Sequence, residues 1–497
     1  MFSIHEDAPL FTQQYSAPVL ATAQYGVKNV TADTTFRIGS ATKLMAMYTF
    51  IIQAGDHVLN DPVTKYIPEL KAAAEALNAT TNPVDHASWD DITLYELASH
   101  LSGVGRDYSS FGELDGPLNP APNPAALGLP PLDKSEVIAC PGASMCTRAE
   151  FFAGFTARHP VFAPSNSPVY SNVAYQLLSY ALENITGIDM PTMVSDSLFK
   201  PLNLTHSSWL VPKDNSTGIL PKGGSWNLDA GDETAAGGMY SSSSDLTKLG
   251  RSILSSSLIS LAETKRWMKP RSLLSDPNTA VGAPWEIYRL ELSPNNRLAD
   301  LYTKSGDLPG YSSMFVLAPD WDMGFTVLTA GTAATANSRI LAGLISDTMF
   351  QAVEDAAREE ADANYSGSYA AADKSLNSSI TINTDSTKPG LGVTSWISNG
   401  TDMLASSVAG PSVRLYPSGL VTELEGGEMQ VGFRAVFEKL KAGVIGGIFG
   451  TACVTWFGVD SLYWGNVATD EFLVTVGADG KAKSVTPRSL RVDLVKA

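Results

Sequence analysis

Ser40-Ala-Thr-Lys43, Tyr170-Ser-Asn172 and Lys304-Ser-Gly306 stand in that order along the chain. Together they describe a serine acyl-transfer site without a histidine. A serine hydroxyl is a poor nucleophile at neutral pH, so a proton acceptor must lie within hydrogen-bond reach of it. Lys43, three residues after Ser40, can be that acceptor if it is uncharged. Burial and a second nearby cation, here Lys304, push an amine toward its neutral form. Tyr170 then completes the proton circuit.

Positioning falls to three elements. The apolar run Thr42 to Ala54 reads as a buried helix, which places Ser40 at its N-terminal end and Lys43 one turn on, on the same face. The helix start points free N–H groups and a positive dipole end toward the serine. Asn172 precedes the apolar helix Val173 to Leu182. Lys304-Ser-Gly306 sits at the end of a strand. Each motif also has an ordinary reading: Ser40 as a helix cap over a solvated Lys43, Asn172 as a cap, Gly306 as a turn. Their conjunction favours chemistry.

Competing constellations are missing. The six histidines (His5, His57, His86, His100, His159 and His206) form no H-E-x-x-H and no Cys/His metal spacing. No G-x-S-x-G elbow and no phosphate loop with its lysine is present. Neither metal nor cofactor is expected. A net charge of −17 argues against nucleic acid or an anionic membrane as partner. A chain of 497 residues, 44% hydrophobic and 17% charged, can bury a large core in two or three structural units.

The text around the motifs adds specificity. Phe36-Arg-Ile-Gly-Ser40-Ala-Thr-Lys43, Ile92-Thr-Leu-Tyr-Glu-Leu-Ala-Ser-His100-Leu-Ser-Gly103, Pro168-Val-Tyr170-Ser-Asn172, Pro201-Leu-Asn-Leu-Thr205, Gly237-Gly-Met-Tyr-Ser241 and Lys304-Ser-Gly306 through Gly310-Tyr311 resemble the family of class C β-lactamases, D-aminopeptidases and related penicillin-binding-type esterases. The resemblance runs from about Phe2 to Met349. From Tyr365-Ser-Gly-Ser-Tyr369 onward the chain is similar to the β-rich extension of the fungal β-lactamase-like branch.

The resemblance implies that Ser40 is acylated, that Lys43 and Tyr170 share the general-base and general-acid work, and that Asn172 bonds Lys43 and the acyl side chain. Lys304 would govern the phenol's electrostatics and any substrate anion. The backbone N–H groups of Ser40 and Asp307 would form the oxyanion hole, with Ser305, Gly306 and Asp307 lining the substrate. Asp307 departs from the small uncharged residue usual there. A carboxylate beside Lys304 would repel a penicillin's carboxylate and favour neutral substrates; pointing to the other strand face, it would do neither. The readings that follow are a hydrolase of an ester, amide or lactam of a small, fairly hydrophobic molecule, an acyltransferase or cyclase of secondary metabolism using the same acyl-enzyme, and a catalytically silent binding protein. His100 reads as a cap closing the helix Thr93 to Leu101.

The expected fold class is α+β. An α/β sandwich lobe (about 1–55 and 235–363) and an all-helical lobe (about 56–234) make a catalytic domain over 1–363, followed by an all-β domain over 364–497. The catalytic sheet would use Met1-Phe-Ser-Ile4 and the strands of Leu301 to Ala330, backed by a helix from about Ser338 to Ala363. The proline-rich stretch Gly105 to Cys146 reads as a long loop with a hydrophobic rim, which the resemblance places near an active-site groove between the two lobes. Alternating runs such as Ser379-Ile-Thr-Ile-Asn383 point to a β-sandwich or small barrel after Asn364. Ala442 to Val459 carries no charge, but its glycines and β-branched residues read as two buried strands and not as a membrane span. Cys140 and Cys146 make one close bridge, leaving Cys453 in an apolar strand. Asn-x-Ser/Thr sequons at Asn29, Asn78, Asn184, Asn203, Asn215, Asn364, Asn377 and Asn399 fit a glycoprotein secreted from a eukaryote. No signal peptide opens this chain, so the expectation is a trimmed form, the alternative being a cytoplasmic protein. The expected partner is a small-molecule substrate.

Overall fold

The computed structural model describes residues 1–76, 82–109, 113–114, 124–133, 136–138, 140, 146–438 and 458–497. They divide into two compact units, Met1–Leu290 with Ala299–Ser346, and Glu291–Leu298 with Asp347–Ala497.

The first unit is built on a seven-stranded sheet. Its strands are β1 (Phe2–Ser3), β4 (Ser272–Leu273), β5 (Thr279–Val281), β6 (Glu286–Leu292), β7 (Arg297–Leu308), β8 (Tyr311–Ala318) and β9 (Met323–Ala330), in the order β1-β9-β8-β7-β6-β5-β4. A separate ribbon pairs β2 (Phe36–Arg37) with β3 (Tyr240–Ser241). Pro309 and Gly310 turn β7 into β8, Gly310 at φ +81° supplying the left-handed position such a turn needs. That turn sets the register Lys304↔Phe315, Gly306↔Ser313 and Asp307↔Ser312. Every residue of β8 is buried, its two serines included. Ser313 uses its hydroxyl to donate to the Ile38 carbonyl at 2.6 Å, tying the segment before Ser40 to the sheet.

Helices α1 (Thr42–Ala54), α2 (Pro68–Ala76), α3 (Leu94–Ala98), α4 (Arg148–Phe155), α5 (Val173–Thr186), α6 (Met190–Val194), α7 (Thr234–Gly237), α8 (Ser243–Leu254) and α9 (Leu261–Trp267) complete the unit. In α1 the residues from Thr42 to Ile51 are all buried, and in α5 those from Val173 to Leu182. Helices apolar on every side belong in the interior. Leu44, Met47 and Phe50 of α1 share one core with Val173, Leu177 and Tyr180 of α5, each large apolar side chain contributing roughly 1.5–3 kcal/mol on burial. The short α7 packs against both helices. Gly55 and Gly187 stop α1 and α5 in backbone conformations with φ near +70° that a side chain disfavours. Helix α3 is shorter than the sequence suggests, because Thr93 and Glu96 close a capping box at its start and His100, at φ +62°, already lies beyond its end.

The long helix α10 spans Ala334–Tyr365. The division between the two compact units falls inside it, at 346–347. Its last turns, through Ala361 and Tyr365, pack on the core of the second unit.

That unit is a closed β-barrel. Its strands are β10 (Gly367–Ala371), β11 (Ser379–Asp385), β12 (Lys388–Ser398), β13 (Thr401–Asp402), β14 (Val413–Glu423), β15 (Met429–Phe437), β18 (Glu471–Val476), β19 (Ala482–Pro487) and β20 (Leu494–Lys496), with β16 (Tyr463–Trp464) and β17 (Val467–Ala468) forming a side ribbon. The order β11-β10-β20-β19-β18-β15-β14-β12 closes because β11 also pairs with β12. Among the described residues, closure leaves β13 at the edge of this sheet. Tyr369, Trp396 and Phe472 fill the interior, and β18 alternates half-buried with buried residues along its length.

The strands read at Ala442 to Val459, with Cys453, lie outside the described residues up to residue 457, as does about half of the loop Gly105 to Cys146. Cys140 and Cys146 are joined in a disulfide. Among the described residues no helix is long and apolar enough to cross a membrane, and no cluster of three His, Cys, Asp or Glu could hold a metal.

Candidate active site

Ser40 sits in the tight turn Gly39–Ala41 ahead of α1 and caps nothing; the residue at the cap position is Ala41. The turn is interlocked with the end of β7. A Cβ added at Gly39 would lie 2.7 Å from the Asp307 nitrogen, and one added at Gly306 would lie 2.6 Å from the Ser40 nitrogen. Two glycines without side chains therefore let the Ser40 turn and the end of β7 pack against each other with the Ser40 and Asp307 nitrogens at the contact, the proximity that an oxyanion hole requires.

Lys43 is fully buried. Its Nζ contacts Asn172 Oδ1 at 2.6 Å, the Ala236 carbonyl of α7 at 2.6 Å and Ser40 Oγ at 3.2 Å. The two short bonds go to oxygens that can only accept. The third and longest goes to a hydroxyl that can itself donate, the geometry of a neutral amine poised to take a proton. Burial, with help from Lys304, holds the Lys43 pKa below its ordinary value against the pull of Tyr170.

Asn172 stands at the start of α5 but does not cap it. Its Oδ1 accepts from Lys43, and its Nδ2 donates to Asp107 Oδ1 at 2.6 Å. Tyr170 lies in a cage of cations. Lys43 Nζ is 4.8 Å, Lys304 Nζ 5.3 Å and the Arg106 guanidinium carbon 4.8 Å from its ring centre. Burial pushes the phenol up, but Lys304 and Lys43 outweigh it and bring its pKa down to about 8.

Lys304 is buried and paired with Glu286 of β6, and it donates to the Ser305 carbonyl at 2.9 Å. Glu286 also takes the Ser305 N–H on Oε2 at 2.9 Å. Burial pulls the Lys304 pKa down, yet Glu286 and Tyr170 raise it on balance, so Lys304 is held as ammonium. The two lysines are thus split by environment. Lys43 has no carboxylate within hydrogen-bond distance, and Lys304 has one.

Asp307 requires a correction to one expectation. Its side chain stands on the face of β7 opposite Gly306, where Oδ1 accepts from Thr335 Oγ1 and Oδ2 from Arg339 Nη2, both at 2.8 Å, on α10. Its charge is met by Arg339 and not by Lys304. The argument from Asp307 against anionic substrates therefore lapses. Ser305, on the same strand face as Asp307, is held by its backbone to the Lys304–Glu286 pair.

His100 does more than close a helix. It is buried with its ring centre 4.5 Å from that of Tyr170 and 5.8 Å from that of Tyr175, and its Nδ1 accepts from the Ser171 N–H at 3.2 Å. Burial first, then Lys43, Lys304 and Arg106, hold it well below its usual pKa. As a neutral ring it braces the Tyr170–Asn172 segment from beneath. Sequence reasoning missed Glu286, Arg106, Asp107 and Glu233. Arg106 and Asp107 follow the matched segment ending at Gly103 by a few residues, a signal of proximity; Glu286 and Glu233 carry no local signal.

Residues 16–349 match the family model described as "Beta-lactamase", and residues 357–497 the model described as "Beta-lactamase-like-like, C-terminal domain". A "Beta-lactamase-like protein" of Arthroderma benhamiae is 35% identical over 352 residues, covering 69% of this chain and 56% of the relative. A "Probable hydrolase M10" of a Phoma species is 29% identical over 406 residues, covering 78% and 64%. Among solved structures, a D-stereospecific amidohydrolase from Streptomyces aligns at 20% identity over 64% of this chain and 87% of that one, with a TM-score of 0.47. The matched region spans less than two thirds of the length of either curated relative.

Proposed function

The chain belongs to the beta-lactamase family, and from that premise we propose that it is a serine hydrolase that cleaves an ester, amide or lactam of a small molecule through an acyl-Ser40 intermediate. The observation that carries the proposal is the position of Lys43: buried, without a carboxylate partner, and 3.2 Å from Ser40 Oγ.

In acylation, neutral Lys43 takes the Ser40 proton as Oγ bonds to the substrate carbonyl carbon. The developing oxyanion is met by the N–H groups of Ser40 and Asp307, an interaction that typically supplies several kcal/mol. The tetrahedral adduct collapses by breaking the bond to the leaving group, which takes the Tyr170 proton. The Tyr170 phenolate, stabilised by Lys304, then removes a proton from water as it attacks the acyl carbon. Release of the acid returns the Lys43 proton to Ser40 Oγ. Asn172 keeps Lys43 aimed throughout.

The test is intact-protein mass after brief exposure to p-nitrophenyl esters and to a penicillin. An acyl adduct in the wild type and not in Ser40→Ala supports the proposal, and turnover unchanged in Ser40→Ala overturns it. Decay of the adduct in water marks a hydrolase; decay only on addition of an alcohol or amine would mark an acyltransferase. For location we propose secretion, supported by the Cys140–Cys146 disulfide and by the exposure of Asn29, Asn184, Asn203, Asn377 and Asn399 in their sequons.

A further inference from the structure

Glu233 is the least satisfied ionisable group in the described residues of the first unit. It ends the turn Gly231–Glu233 and precedes α7, the helix whose Ala236 carbonyl holds Lys43. It is 4% exposed, and neither carboxyl oxygen has a hydrogen-bond partner. The charged groups that face it are Asp107, from the loop after α3, and Lys43, from α1. Asp232 in the same turn is engaged by the Tyr180 hydroxyl of α5 at 2.7 Å, and Arg106 lies 3.4 Å from Asp107.

A buried carboxylate with no donor is costly, and a second carboxyl nearby raises the cost. Burial and Asp107, against Lys43, push the Glu233 pKa up to about 8. An uncharged Glu233 has a consequence for its neighbour. The partners of Lys43 are then a serine hydroxyl, an amide, a backbone carbonyl and the Tyr170 phenol, whereas an ionised Glu233 would add a carboxylate that favours the ammonium form.

We propose that Glu233 is a positioning residue that acts through Lys43: sealed from solvent and held beside Asp107, it stays uncharged in the working state, denies Lys43 a counter-ion and so leaves the amine free to accept the Ser40 proton. Asp107 has two parts in this, orienting Asn172 and keeping Glu233 protonated. The inference rests on the acyl-serine reading above.

The experiment is a double-mutant cycle read in the pH dependence of kcat/KM for p-nitrophenyl acetate, with Ser40→Ala as background. The readout is the rising limb, which reports loss of the proton from Lys43. In Glu233→Gln the limb should stay at its wild-type pH, whatever the height of the plateau, since a neutral group replaces a neutral group. In Asp107→Asn it should move up by at least about one unit, a tenfold loss at fixed pH on the limb, because Glu233 now ionises and stabilises the ammonium. The double variant should return it. A downward shift in Glu233→Gln would show a charged Glu233 and overturn the proposal, as would an unmoved limb in Asp107→Asn or a failure to restore it. Infrared difference spectra of wild type against Glu233→Gln at neutral pH make the test independent of turnover. The carbonyl stretch of a protonated carboxylic acid, sensitive to D2O, should be present in the wild type and lost in Glu233→Gln; its absence from the wild type overturns the proposal. Activity equal in wild type and Ser40→Ala would defeat the acyl-serine reading, while the infrared result would still stand or fall by itself.

Discussion

Buried Lys304 and half-buried Glu286 form an ion pair whose carboxylate also receives the N–H of Ser305, so one acidic side chain fixes both the charge of the lysine and the backbone of the strand that carries Asp307. Breaking a buried pair by removing one partner leaves an uncompensated charge and typically costs about 3 kcal/mol or more. Glu286→Ala should therefore destabilise the first unit by about that amount in urea titrations at neutral pH. The dependence on pH has a definite sign. The Glu286 pKa lies below its ordinary value, because Lys304 and Ser305 outweigh the effect of burial. The contribution is complete above the usual carboxylate range and is lost as the pH falls through the depressed pKa. The gap between wild type and Glu286→Ala should narrow on acidification, and a gap constant to low pH would refute the pairing.

Lys43→Arg should be as inactive as Lys43→Met. A guanidinium keeps a positive charge but stays protonated, so it cannot act as a base. Both variants should lose about 10²–10⁴ of the acylation rate in stopped-flow release of p-nitrophenol. An Arg variant with near wild-type acylation would mean that charge, and not proton acceptance, is what Lys43 contributes.

Tyr170→Phe should retain less than about one per cent of kcat, in line with a general acid–base contribution. With a wild-type pKa of about 8, the phenol is protonated at neutral pH and available to the leaving group. Above that pH the acid form is lost, so kcat/KM for an amide should fall on the alkaline side in the wild type. The same limb in Tyr170→Phe would assign it to another group.

Gly306→Ala tests the interlock between β7 and the Ser40 turn. The new Cβ would lie 2.6 Å from the Ser40 nitrogen, so one of the two backbone segments has to move. Displacing an oxyanion donor should cost about 10²–10³ in single-turnover acylation with little change in substrate binding. Retained acylation would place the oxyanion elsewhere.

Asp307→Asn should alter the ratio of kcat/KM for a penicillin to that for a neutral ester by less than about threefold, because the side chain faces Thr335 and Arg339 on α10 and both members of the ion pair are partly exposed. Stability should change by less than about 1 kcal/mol. A large gain for the penicillin would return Asp307 to the substrate.

Read alone, the sequence determined what is local and periodic. The three-residue step from Ser40 to Lys43 is one helical turn, and the apolar-rich run Thr42 to Ala54 reads as a buried helix, so nucleophile and base were legible together. Strand alternation after residue 364 revealed the β-rich unit, but closure into a barrel depends on β11 meeting β12, a pairing that alternation does not encode. Tertiary structure alone decided which carboxylate meets which cation. Glu286 reaches Lys304 across neighbouring strands, Glu233 is set behind Lys43 from a turn almost two hundred residues away in the chain, and Asp307 turns to Arg339 because strand alternation, counted from Gly306, sends it to the other face. Charge pairing over such distances is fixed by register and packing, and no short window of sequence contains either.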